Sequence, residues 1–237
     1  MNWAIMNKAL ILALLLCTSS WAEMISSDLL AHKNNNGYTW TLTSRLGDVI
    51  ALAESSFGKR DTSWTILGVE FSSDGPPQLW FPGSYDNRHD IIIQLTKSSA
   101  TNSIQSFFQL AHEVIHILSP SGGNDNVTVF EEGLSSHFSV RYVESRIPVR
   151  LKPNECFKNS KYLLAYHMIQ DIYTKYPDAD ERIRSLRLKN NNSFSSNLSK
   201  ELIKEVFPKI DETNARELAA IFCTWEPVKG IQPSPSP

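Results

Sequence analysis

An α+β fold is what the patterning of this 237-residue chain predicts: a small N-terminal mixed-sheet lobe over about residues 23–100, then a mainly helical lobe over about 101–227, with a cleft between them. Two observations predict it. Short runs rich in β-branched and aromatic residues, separated by Pro and Gly turns, fill the first half. From Thr101 onward, apolar residues recur at helical spacing between polar breaks. With 41% hydrophobic residues, a chain of this length can bury a sizeable core in a single domain.

The first segment is a leader. Lys8 precedes the apolar run Ala9 to Leu16, and Ser20-Trp21-Ala22 supplies small residues around a cleavage point, so residues 1–22 read as a secretory signal peptide and the mature chain starts near Glu23. The apolar run is shorter than the ~20 residues a spanning helix needs, so no stable membrane insertion is expected. The leader predicts export, to a periplasm or to the medium.

Elements follow in order. Leu46, Val49, Ile50 and Leu52 give an amphipathic helix over residues 44–56. Trp64 to Phe71, Gln78 to Phe81 and Asp90 to Leu95 read as strands, parted by Asp74-Gly75-Pro76-Pro77 and Pro82-Gly83. Helices are predicted over residues 103–118, 127–145, 159–175, 180–188, 198–206 and 211–225, with Pro227 stopping the last. Asn190 to Ser193 reads as an exposed loop, and the Pro/Ser tail over residues 228–237 as disordered.

Charge and cysteine content narrow the function classes. The formal charge of −2 becomes −3 once the leader, with its one lysine, is removed. No basic stripe with interleaved aromatics is present, which argues against nucleic acid as a partner. Cys156 and Cys223 are the two cysteines of the mature chain, and export predicts a disulfide between them, worth roughly 4 kcal/mol in the chain-entropy model.

The stretch that carries chemistry is Leu110-Ala111-His112-Glu113-Val114-Ile115-His116, an H-E-x-x-H pattern within a helical segment. Residues four apart share a helix face, so His112 and His116 can meet on one metal ion, expected to be one Zn2+ per chain. Glu113 is turned away from the core towards a wet cleft. A catalytic zinc site needs a third protein ligand. Phe130-Glu131-Glu132-Gly133-Leu134-Ser135-Ser136-His137-Phe138 is the segment to supply it, and periodicity alone does not choose between Glu131 and Glu132. Glu132 shares its side with Gly133 and Ser136, small residues that would let this helix approach the first. Both glutamates also suit a helix N-terminus without any metal.

These residues resemble the gluzincin metallopeptidases, which include thermolysin-like and aminopeptidase N-like enzymes and pair H-E-x-x-H with a downstream glutamate, often as E-G-x-[AS]. Glu132-Gly133-Leu134-Ser135 matches that setting. The resemblance covers residues Asp90 to Tyr142 and implies a zincin-like helical lobe, Glu132 as third ligand beside His112 and His116, and Glu113 as general base. It implies that the strand Asp90 to Leu95 is the cleft-edge strand that aligns an extended peptide. Peptide or protein substrates follow from it.

Zinc held by two neutral imidazoles and one carboxylate keeps positive charge, which favours an activated water. A further group should stabilise the developing oxyanion. Tyr142, His137, Tyr166 and His167 lie on the downstream helices, and Tyr166 and His167 are the residues expected to serve. Asp125 is a candidate outer-shell partner for a ligating histidine. Two other readings stand beside the peptidase: an exported binding protein stabilised by metal but without turnover, and a structural protein whose histidines are incidental.

Overall fold

The computed structural model describes residues 32–34, 37–39, 42–82, 89–122, 126–157 and 159–228. The expected leader, Asp125 and the tail from residue 229 lie outside them. The chain forms two compact units, Met1–Arg45 and Leu46–Pro237. The first contains an antiparallel pair that the sequence reading missed, β1 (His32–Asn34) and β2 (Gly37–Thr39). Helix α1 (Leu42–Phe57) leads into the second, which holds both the larger sheet and the helices after it.

That sheet has strands β3 (Trp64–Ser73), β4 (Gln78–Trp80) and β5 (His89–Thr96), in the order β3-β5-β4. β5 runs parallel to β3 and antiparallel to β4, so the sheet is mixed, as expected. Its alternate residues Ile91, Ile93 and Leu95 are fully buried, as a strand with period-2 side chains requires when one face meets the core. On the other face Gln94 accepts from Gln78 and donates to Glu70, both at 2.7 Å. The expectation that Asp90 to Leu95 forms the cleft edge is corrected here. β5 is hydrogen-bonded on both sides and occupies the centre, while the edges are β3 and the short strand β4.

After a 3-10 turn (Lys97–Thr101) come α2 (Ser103–Ile117), α3 (Val129–Arg146), α4 (Pro153–Cys156), α5 (Ser160–Lys175), α6 (Ala179–Lys189), α7 (Lys200–Val206) and α8 (Glu212–Leu218). The side chain of Asn102 caps α2 by accepting from the Gln105 N–H, and Thr128 caps α3 by accepting from the Glu131 N–H. The helix expected over residues 211–225 stops at Leu218. Instead the chain turns to pair with the entry of α3: the Val129 N–H donates to the Ala220 carbonyl (2.9 Å) and the Phe222 N–H to the Val127 carbonyl (2.8 Å).

α3 packs between α2 and α5 and is buried on nearly every side from Val129 to Val140. Two of its buried serines are satisfied within the helix, Ser135 donating to the Glu131 carbonyl (2.9 Å) and Ser139 to the Ser135 carbonyl (2.7 Å), while the buried Ser136 hydroxyl makes no hydrogen bond of normal geometry. Gly133 does not serve the contact with α2, as the sequence suggested, but the contact with α5. A Cβ there would lie 2.5 Å from the Ala165 carbonyl oxygen and 2.8 Å from Ile169 Cγ1. Arg187, 2% exposed, ties two helix ends together by donating to the Phe57 carbonyl at the end of α1 (3.2 Å) and the Leu118 carbonyl after α2 (2.6 Å). Those carbonyls have no partner within their own helices, which is why a buried guanidinium is tolerated there.

The expected disulfide does not form. Cys156 and Cys223 are separate thiols. Cys156 is half-buried against the cluster of Val140, Phe157 and Tyr166, whereas Cys223 is exposed in the turn after α8. Among the described residues no helix is long and apolar enough to cross a membrane.

Candidate metal centre

Helix α2 sets His112 and His116 one turn apart, with ring centroids separated by 5.1 Å. The first turn of α3 brings the carboxylates to them. Oε2 of Glu132 lies 3.2 Å from Nε2 of His112, and its Oε1 lies 3.9 Å from Nε2 of His116. Glu131 takes a different part: its Oε1 accepts from Nδ1 of His116 at 2.8 Å. A carboxylate only accepts, so Nδ1 carries the proton and Nε2 is the nitrogen turned to Glu132. The choice left open by periodicity is thereby settled in geometry. Glu132 joins the histidines, and Glu131 sits behind one of them.

His112, His116 and Glu132 form a group able to hold a metal ion, their ligand atoms all lying within 4.8 Å of one another. Two ligand atoms each about 2.1 Å from a tetrahedral ion stand about 3.4 Å apart, so 3.2 and 3.9 Å need only small side-chain adjustments. One atom supports the fit independently. Oε2 of Glu132 is buried yet makes no hydrogen bond of normal geometry. A buried carboxylate oxygen without such a partner is costly unless a cation meets it.

The electrostatics lead the same way. Burial works against charge on His116, but the Glu131 hydrogen bond and the carboxylates of Glu132, Glu131 and Glu113 outweigh it and lift its pKa to about 10. Burial pushes Glu132 up, yet the neighbouring imidazoles of His112 and His116 hold it below the usual carboxylate range. Glu113 is shifted up, chiefly by burial and further by Glu132, against the pull of both histidines. Three carboxylates around two imidazoles make a site that draws positive charge, as a proton on His116 or as a metal ion.

These side chains line a pocket of about 240 Å³. Its opposite wall is the sheet edge, with Pro77, Gln78, Leu79 and Phe81, and Ser121 and Val127 complete the rim. Glu113 lines the pocket, as its place in the motif requires, but is only 3% exposed, so the surroundings are drier than expected.

The two residues expected to stabilise an oxyanion are placed elsewhere. Tyr166 packs against Val140 and Phe157 and donates to Gln170 (3.3 Å). His167 is half-buried and meets the Tyr166 ring edge-on. Neither lines the pocket. His137 is buried under Tyr173, their stacked rings 4.2 Å apart, and the Tyr142 hydroxyl donates to Asp48. The residue that does reach the pocket is Tyr162, one turn before Tyr166 on the same stripe of α5, with its ring centroid 6.0 Å from that of His112. Burial, with Glu132 and Glu113 nearby, pushes its phenol well above the usual range and keeps it a protonated donor. Which turn of α5 faces the pocket depends on how α5 packs on α3, and no local pattern encodes that.

Comparisons with protein-family models, with curated proteins and with solved structures give no match.

Proposed function

We propose that this chain is an exported, zinc-dependent metallopeptidase of gluzincin type, with His112, His116 and Glu132 holding the ion and Glu113 acting as general base. The observation that carries the reading is the convergence of those three ligands with Glu113 in one pocket beside a sheet edge. Two imidazoles and one carboxylate are a donor set suited to zinc. When bound, zinc would lower the pKa of a coordinated water towards 7 and polarise a substrate carbonyl.

The chain's own residues supply the rest. Glu113, itself only 3% exposed, accepts the proton of the attacking water and passes it to the leaving amine nitrogen. Its raised pKa suits an acid that must hold that proton for an interval. The Tyr162 hydroxyl takes the place that Tyr166 and His167 were expected to fill, donating to the oxygen on which charge develops. β4, an edge strand, offers backbone groups for an extended peptide to pair with. The apolar walls formed by Pro77, Leu79, Phe81 and Val127 then receive its side chains.

Export rests on the leader sequence, residues 1–22, and its mark is a mature N-terminus at Glu23. The test of function is Glu113→Gln assayed against a broad peptide library. The expected result is a loss of about 10²–10⁴-fold in rate with zinc still bound. A wild-type protein that binds zinc but cleaves nothing would favour the binding-protein alternative.

A further inference from the structure

Ser195 lies far from the site in sequence, in the loop between α6 and α7, yet its hydroxyl donates to Oε2 of Glu131. The hydrogen bonds around it fix that direction. The Thr128 N–H donates to Ser195 Oγ (2.9 Å), so the serine oxygen accepts there and its own proton goes elsewhere. Thr128 Oγ1 in turn accepts from the Glu131 N–H (3.2 Å) and donates to the Phe194 carbonyl (3.0 Å), which commits its proton away from Ser195. The other oxygen of Glu131 accepts from Nδ1 of His116.

The loop is shaped to deliver this serine. Asn191, Asn192 and Asn197 adopt left-handed backbone conformations (φ 55°, 60° and 59°), which asparagine tolerates better than most residues. Ser193 Oγ accepts from the N–H groups of Ser195 and Ser196 (3.1 and 2.9 Å). Phe194 is fully buried against Phe57 and Phe130, which anchors the loop beside the start of α3.

From this chain of contacts we propose that Ser195 is a positioning residue for the metal centre. Through Glu131 it fixes the tautomer and orientation of His116, so that Nε2 presents its lone pair where Glu132 and His112 converge. This rests on the metal site of the proposed function and adds the relay Ser195–Glu131–His116 behind it. Partners of this kind typically change metal affinity 10–100-fold.

The experiment is zinc affinity, measured by competition with a chromophoric chelator, together with the visible spectrum of the cobalt-substituted protein. Wild type, Ser195→Ala, Ser195→Thr and Glu131→Gln are compared. Ser195→Ala is expected to weaken zinc binding about 10-fold and to shift the cobalt bands. Glu131→Gln should weaken it by up to about 100-fold, and Ser195→Thr should restore both readouts. A loop that merely stabilised the fold would lower the melting temperature without moving the cobalt spectrum. Should Ser195→Ala fail to fold, Ser195→Cys, a weaker donor of similar size, replaces it with the same expectation. Tight zinc binding by wild type with unchanged affinity and spectrum in the serine variants would overturn this proposal and leave the metal site standing. Absence of zinc binding by wild type would overturn both.

Discussion

Oε2 of Glu132, on α3, sits 3.2 Å from Nε2 of His112, on α2, and both side chains are nearly buried. That contact explains the arrangement of the two helices. The H-E-x-x-H turn of α2 can align two imidazoles by itself, but a carboxylate must arrive from a different element. α3 supplies it from a first turn whose N-cap, Thr128, is held by the loop before α7 and by residues 220–222 after α8. The site is therefore assembled by tertiary packing around a local motif.

Tyr162→Phe separates catalysis from metal binding. Tyr162 lines the pocket but is not among the ligand residues, so zinc affinity should stay within about twofold of wild type. Loss of one oxyanion donor should lower kcat by about 10²–10³-fold, with a smaller change in KM. Tyr166→Phe, outside the pocket, should leave kcat unchanged. Steady-state kinetics on a cleaved peptide reads both, and equal effects of the two variants would contradict this placement.

His137 gives the fold an acid-sensitive element. Burial and the nearby Arg141 charge depress its pKa to about 3, against the opposing Gln170 contact and Asp180. The folded state holds the ring neutral, so as pH falls below about 6.5 the unfolded chain takes up a proton that the folded chain does not. The His137 contribution to stability should fall by about 1.4 kcal/mol per pH unit between pH 6 and 4 and level off near pH 3, on top of the carboxylate titrations that both proteins share. His137→Phe keeps a ring to stack on Tyr173 and removes the titration. Urea unfolding of both proteins across this range should show a flatter profile in the variant; parallel profiles would contradict the assignment.

Gly133→Ala tests the contact between α3 and α5. Alanine improves helix propensity by up to about 1 kcal/mol. Its Cβ, however, would meet the Ala165 carbonyl oxygen at 2.5 Å, a backbone atom that yields only if α5 moves. Overpacking of this kind costs about 1–3 kcal/mol, so net destabilisation of about 1–2 kcal/mol is expected in denaturant unfolding. Movement of α5 also displaces Tyr162, so kcat should drop. Unchanged or increased stability would show that the helices adjust freely.

Much of this architecture is local and was legible in the sequence. Period-2 burial in Ile91, Ile93 and Leu95 and helical spacing from Ile104 to Leu118 place β5 and α2 to within a residue or two. The pair His112 and His116 is legible for the same reason, being one turn of one helix. Pairing between distant segments was not. Nothing in the composition of Asp90 to Leu95 says that another strand covers its second edge, so β4 was missed as the sheet edge. Tyr162 and Tyr166 are equivalent in pattern until α5 is placed against α3. Ser195 follows the run Asn190 to Ser193 that reads as an exposed loop and carries no signal of its own, and Glu131 looks like an ordinary N-terminal acid until His116 is placed beside it. The expectation of export argues for a disulfide, but chain geometry decides it, and Cys156 and Cys223 stay apart.

The decisive measurement is the zinc content of purified protein, equilibrated with zinc, freed of excess ion and read by elemental mass spectrometry. Wild type is to be compared with His112→Ala and Glu132→Ala. One zinc per chain in wild type, lost in both variants, is the expected result and would establish the ligand set on which the catalytic proposal stands. Zinc-free wild type, or full zinc retained in both variants, would contradict it.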